Sequence, residues 1–137
     1  MRTFLITLYI AAFVAVAMAV GLSDEQKETL KKNNDECLKE TGVDEALVKK
    51  AREGDFSIEN EPLERYVFCM MRKSDLITED GHFNKDVAMT KLPEGADREK
   101  IEKAIDACKD EQGATPYESS WLMVKCYHEK NPDHIVV

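Results

Sequence analysis

The stretch TPYESSWLMVKCYHEKNPDHIVV, Thr115 to Val137, holds the clearest helix start in the chain and its least expected ending. Thr115 is suited to cap an α-helix, Pro116 fits the first helical position, where its missing N–H would be unpaired anyway, and Glu118 completes a capping box. The helix then carries Tyr117, Trp121, Leu122, Val124 and Cys126 and stops before Pro132, which cannot continue it. A cysteine inside a helix makes its disulfide a clamp between two helices, because a bridge needs Cα atoms within about 7 Å. The last residues, Ile135, Val136 and Val137, are β-branched and apolar with no helix left to bury them. A frayed tail is ordinarily polar, so these three need an apolar surface to cover.

Working back from this stretch, every substantial segment has helical period and helix punctuation, and none has sustained apolar–polar alternation bounded by hairpin turns. The fold class is all-α. Ser23 and Gln26 open a first helix that stops near Thr41-Gly42, with a thin apolar stripe of Leu30, Cys37 and Leu38. A short second helix runs from Asp44 to about Arg52, with Leu47 and Val48 inward and Gly54 beyond its end. The third has Asn60 as cap, Pro62 in its first turn, and Leu63, Tyr66, Val67 and Met70 spaced i, i+3, i+4, i+7 on one face. Asp80-Gly81 leads into a fourth, capped by Asn84, carrying Val87, Ala88 and Met89 and ending before Pro93. The fifth, about Asp97 to Lys109, repeats the inward spacing with Ile101, Ala104, Ile105 and Cys108. The Thr115 helix is the sixth. No repeat or low-complexity linker interrupts the series, so one domain is expected.

The first 19 residues, MRTFLITLYIAAFVAVAMA, read as a secretory signal: Arg2 as the positive start, Phe4 to Val16 as the apolar run, Ala17-Met18-Ala19 as the small-residue cleavage site. Cleavage after Gly21 is an alternative, and a membrane anchor the rival reading. This divides the chain into 1–19, signal peptide, and 20–137, a single helical ligand-binding domain that is secreted and extracellular, with no stable membrane insertion. Removing 19 of 137 residues leaves 118, and removing Arg2 from 19 basic side chains leaves 18 against 27 acidic, a net charge of −9. Such a balance repels phosphate backbones, so no nucleic-acid partner is expected. Asn-x-Ser/Thr does not occur, so neither is N-glycosylation. Cys37, Cys69, Cys108 and Cys126 all follow the leader, and an even number in an exported chain reads as two disulfides, with three connectivities open. Their spacing offers no CxxC pair, and no metal or other cofactor is expected.

The segment LITEDGHFNKDV resembles a calcium loop only superficially: with Gly81 at position six, positions one and twelve are Leu76 and Val87, where carboxylates are required. His82, His128 and His134 form no nucleophile–base pattern, so no catalytic residue and no enzyme is expected. More informative is the apolar inventory: Met70, Met71, Met89 and Met123 with Tyr66, Phe68, Phe83, Trp121 and Tyr127. Methionines and aromatics line adaptable apolar cavities, because thioethers repack at low cost. They also fill ordinary cores, and periodicity does not separate the two.

Taken together, the leader, six short helices, acidic charge, cysteine ladder, the DGHFN turn (80–84) and the CYHEKNPDHIVV ending (126–137) resemble the insect odorant-binding protein family, the pheromone-binding and general-odorant-binding group. Members usually carry six cysteines, with three residues between the second and third and eight between the fifth and sixth. Here those places hold Arg65 and Tyr117, so the chain resembles a four-cysteine "minus-C" member lacking one whole bridge. The resemblance implies the pairs Cys37–Cys69 and Cys108–Cys126, and a missing clamp between the third and sixth helices. It also implies a terminus that folds back over a helical cavity, which would explain why Ile135, Val136 and Val137 are apolar. Tyr66 stands where relatives hydrogen-bond the tail carboxylate, with Lys31 or Lys32 as basic partner. Acid-triggered ligand release would follow from such a latch.

The expected protein is therefore six short helices around a central apolar cavity with two interhelical disulfides. It is a secreted carrier of small hydrophobic ligands such as odorants, pheromones or related semiochemicals, with an olfactory receptor as a recipient for delivery. The expected lining is Tyr66, Met70, Phe83, Val87, Met89, Ile105, Trp121, Leu122, Val136 and Val137. A haemolymph, seminal or venom carrier of lipids or hormones on the same fold is the nearest alternative. A secreted helical protein-contact factor without a cavity is the alternative of another class.

Overall fold

In a computed structural model, residues 23–132 are described; the leader reading of Met1–Ala19 and the apolar ending, with Val136 and Val137, lie outside the described residues. Six helices follow one another within that range: α1 Asp24–Thr41, α2 Glu45–Arg52, α3 Glu61–Lys73, α4 Lys85–Thr90, α5 Arg98–Cys108 and α6 Pro116–Lys130. Each starts where a side chain satisfies an otherwise orphaned amide. Ser23 Oγ accepts from the Gln26 N–H and Gln26 Oε1 from the Ser23 N–H, at 3.1 and 2.9 Å. Asn60 Oδ1 accepts from the Leu63 N–H at 3.0 Å, and Thr115 Oγ1 from the Glu118 N–H at 3.1 Å. The expected capping box at α6 is altered, because Glu118 Oε2 takes the N–H of Ala114, at 3.0 Å. α1 ends on Gly42, whose φ of 64° is the left-handed conformation that glycine adopts without steric cost.

α3 and α6 lie along each other at the centre, α1 packs on α3, α5 packs on α6, and α4 rests on α5. The inward faces of α3 and α5 are those read from the sequence: Leu63, Tyr66, Val67 and Met70, and Ile101, Ala104, Ile105 and Cys108, are all buried. α6 differs. It buries Ser119, Ser120, Met123 and Tyr127 as well as Trp121 and Val124, because a helix with neighbours on several sides has no single apolar stripe to display. Cys37–Cys69 ties α1 to α3 and Cys108–Cys126 ties α5 to α6, with Cα separations of 5.8 and 5.7 Å. These are the pairs that the resemblance implied, and no described cysteine is free.

On the α3–α6 seam, where the third bridge would lie, the Arg65 guanidinium stacks over the Tyr117 ring, 4.5 Å from its centroid. Phe68 meets the same ring edge-on, with centroids 5.2 Å apart. A cation–π contact and an aromatic pair thus join the two helices where the resemblance implied a missing clamp.

The DGHFN turn is held at both ends. Ile77 and Phe83 form one antiparallel bridge, Thr78 N–H donates to His82 O at 2.9 Å, and Gln112 Nε2 donates to Gly81 O at 3.2 Å. This loop carries Leu76 and Phe83 to the interior. Among the described residues no helix is long and apolar enough to cross a membrane.

Candidate ligand-binding cavity

A cavity of about 720 Å³ opens between the N-terminal half of α1 and the surface formed by the end of α3, α4, α5 and α6. α1 contributes Leu30 and Asn33, the end of α3 Met71 and Ser74, the following loop Leu76 and Phe83, and α4 Ala88. Leu92 and Pro93 close one side, and Ile101 and Ile105 of α5 with Met123, Val124 and Tyr127 of α6 form the floor. Glu25, Gln26, Thr29 and Lys91, all exposed, border the mouth. The volume is that of a small-molecule site, and the walls are mostly aliphatic, thioether and aromatic, as burial-driven binding requires. Leu30, 41% exposed, is a large apolar side chain left at that mouth.

A second depression of about 720 Å³ follows the α3–α6 seam past Glu61, Arg65, Arg72, Lys73 and Tyr117. Two of its charges are paired: Arg65 with Glu61 at 2.8 Å and Lys73 with Glu36 of α1 at 2.7 Å. Half of its lining is charged and it is more open to solvent, whereas the α1–α6 cavity is more enclosed and far more apolar, which makes that cavity the better candidate.

Of the lining expected from sequence, Phe83 and Ile105 stand on the wall of this cavity. Tyr66, Met70 and Trp121 are buried in the core beside it and are not among its lining residues. Val87, Met89 and Leu122 are half-buried and also lie off the wall; Val136 and Val137 lie outside the described residues. Trp121 packs on Phe56 with centroids 5.3 Å apart, filling space behind α6. Met71, Met123 and Tyr127 belonged to the apolar inventory without being singled out. Sequence reasoning passed over Asn33, Ser74 and Leu92; for Asn33 the signal was spacing, because Leu30, Asn33 and Cys37 are i, i+3, i+7, one face of α1.

Tyr66 has a different basic partner from the one expected. Arg52 of α2 donates to the Tyr66 hydroxyl at 2.8 Å and to Asn34 Oδ1 at 2.8 Å, and Tyr66 itself donates to Asn34 Oδ1. Lys31 and Lys32 are both exposed. Burial pushes the Tyr66 phenol above its ordinary value, with the Arg52 charge opposing. The tail carboxylate that such a latch would hold lies outside the described residues. Tyr127 is likewise raised by burial, against a hydrogen bond with Asn131, whose Nδ2 donates to the phenol at 3.3 Å.

The single group of metal-ligating residue types brought together among the described residues is Cys37, Glu40 and Cys69. Its sulfurs are bonded to each other and carry no thiolate to offer.

Comparison with known proteins agrees with this architecture. The family model described as PBP/GOBP family matches residues 20–130. B2 protein of Tenebrio molitor is 27% identical over 124 residues, 89% of this chain and 94% of that protein. General odorant-binding protein 56a of Drosophila melanogaster is 25% identical over 134 residues, 96% of each chain. Among solved structures, the fatty acid binding protein OBP56a from the oral disk of the blowfly Phormia regina superposes with a TM-score of 0.68. It is 26% identical, covering 84% of this chain and 99% of that one. The fly and blowfly relatives are named as binding proteins, and the sequence offers no catalytic constellation. With its helices, its two bridges and a match spanning most of its length, the chain belongs to the PBP/GOBP family, the insect odorant-binding proteins.

Proposed function

We propose that this protein is a secreted, extracellular carrier that takes small hydrophobic or amphipathic molecules, odorants or related semiochemicals among them, into the α1–α6 cavity. Residues 1–19 act as the leader and 20–137 as the carrier domain. The observation that carries this reading is a mostly apolar-walled space of about 720 Å³ between α1 and the surface of α3 to α6. Affinity then comes from apolar area removed from water, at roughly 25 cal/mol per Å² before the costs of immobilisation. Membership of the family, with a relative named as a fatty acid binding protein, supports the same reading. Olfactory, haemolymph and seminal carriers share this chemistry, and tissue of expression separates them; delivery to an olfactory receptor belongs to the first.

The test is displacement of a fluorescent apolar probe from the purified 20–137 protein by volatile alcohols, ketones and esters. Ala88 is buried on the cavity wall, and Ala88→Phe fills part of the space. The expected result is micromolar probe binding in the wild type, weakened about tenfold or more in Ala88→Phe with the fold intact. A protein-contact factor with a filled core would bind no probe in either form.

A further inference from the structure

The cavity wall contains one polar side chain that the fold leaves unspent. Asn33 is 9% exposed, faces the cavity, and its amide makes no hydrogen bond with any described residue. The other polar groups around it are engaged or outside. Gln26 Oε1 is committed to the α1 cap, Thr29 Oγ1 donates to Glu25 O at 2.9 Å, and the Tyr127 phenol is held by Asn131. Lys73 is paired with Glu36, Ser74 is only half-buried, and Glu25 and Lys91 stand in solvent at the mouth.

Among the described residues the one side-chain polar atom sealed from solvent without a partner is His128 Nδ1, so the Asn33 amide is open to the cavity, and Asn33 sits where the i, i+3, i+7 face of α1 has Leu30 and Cys37. An apolar residue there would complete the stripe. The amide offers two N–H donors and an acceptor oxygen, so it can donate to a carbonyl or accept from a hydroxyl. The wall holds no buried cation among the described residues, and a carboxylate placed beside Asn33 would be an uncompensated buried charge.

We infer that Asn33 is the specificity-determining anchor of the cavity, and that it selects apolar ligands bearing a neutral oxygen function, an alcohol, aldehyde, ketone or ester, bound with the oxygen inward. This rests on the carrier reading and narrows its ligand class. Ionised acids are accommodated only with the head group at the mouth, beside Lys91 and independent of Asn33.

The experiment compares 1-octanol, 2-octanone, 1-chlorooctane and octanoate as competitors of a fluorescent apolar probe, on the wild type, Asn33→Leu and Asn33→Ala. The two variants remove the amide with opposite changes in volume, so the result does not depend on one of them folding; thermal melts accompany each. Octanol and octanone should bind about tenfold more weakly to both variants, the loss of one buried hydrogen bond, while chlorooctane and octanoate stay within about twofold. An equal loss for all four competitors, or no loss for octanol, overturns the assignment. Octanoate depending on Asn33 as strongly as octanol overturns the neutral-oxygen class. Failure of the probe to bind the wild type would instead sink the carrier reading itself.

Discussion

Adding the bridge that the family resemblance implies is missing between α3 and α6 is a quantitative test of how this chain is held together. In Arg65→Cys with Tyr117→Cys the new loop spans 117 minus 65, or 52, residues. Neither native bridge shortens it: Cys69–Cys37 leads backward out of the loop, and Cys108–Cys126 carries the path past Tyr117 and back. In the chain-entropy account a 52-residue loop contributes about 4 kcal/mol. Against this stand the contacts removed. The Arg65–Tyr117 stack contributes about 0.5–1 kcal/mol at an exposed site, the Phe68–Tyr117 edge contact about 0.5–1.5, and the exposed Arg65–Glu61 pair a few tenths. The net gain is about 2 kcal/mol, which for a domain near 120 residues raises Tm by about 8 °C. Arg65→Ser with Tyr117→Ser makes the same deletions without the bond and should melt about 8 °C below the wild type. Thermal denaturation by circular dichroism, with mass spectrometry to verify three disulfides, reads both. If the bond forms and the cysteine variant melts no higher than the serine variant, the alignment of Arg65 and Tyr117 with the missing cysteines is wrong.

Two further outcomes follow from the geometry. Gly54 has φ +95°, and a Cβ there would lie 2.8 Å from the His128 ring, so Gly54→Ala should destabilise by about 2 kcal/mol or more in urea melts; an unchanged midpoint would mean that Gly54 does not lie against His128 as described. Glu64 is pushed above its ordinary value by burial and then by Glu118, Glu59 and Glu61, so its ionised form opposes folding, and the neutral form becomes favoured as pH falls. Glu64→Gln should therefore raise Tm by about 2 °C at pH 7, with the gain disappearing near pH 4. Hydrogen bonds from Lys73, Ser57 and Thr78 hold Glu36, Asp55 and Asp80 low, so what they contribute persists from pH 7 to 5 and is lost only below about pH 4. A fall in Tm between pH 7 and 5 would point to other groups.

The helices of this protein are legible because their determinants are local. Ser23, Asn60 and Thr115 cap within three residues of themselves, and the apolar spacing of α3 and α5 names the inward face without reference to any partner. Even cysteine number and helical period were likewise enough for an all-α domain with two disulfides. The contents of the interior were not legible, because periodicity says which side of a helix turns inward and nothing about what stands opposite. Trp121 and Phe83 both read as inward, yet Trp121 meets Phe56 and fills the space while Phe83 meets the cavity. Arg52, eighteen residues from Asn34, reaches Tyr66 only because α2 folds back beside α1 and α3. Asn33 looked like one more polar residue on an acidic helix. Its role depends on where six helices leave a gap, and that is decided by packing between segments distant in the chain, where each side chain's neighbour is set by the whole arrangement.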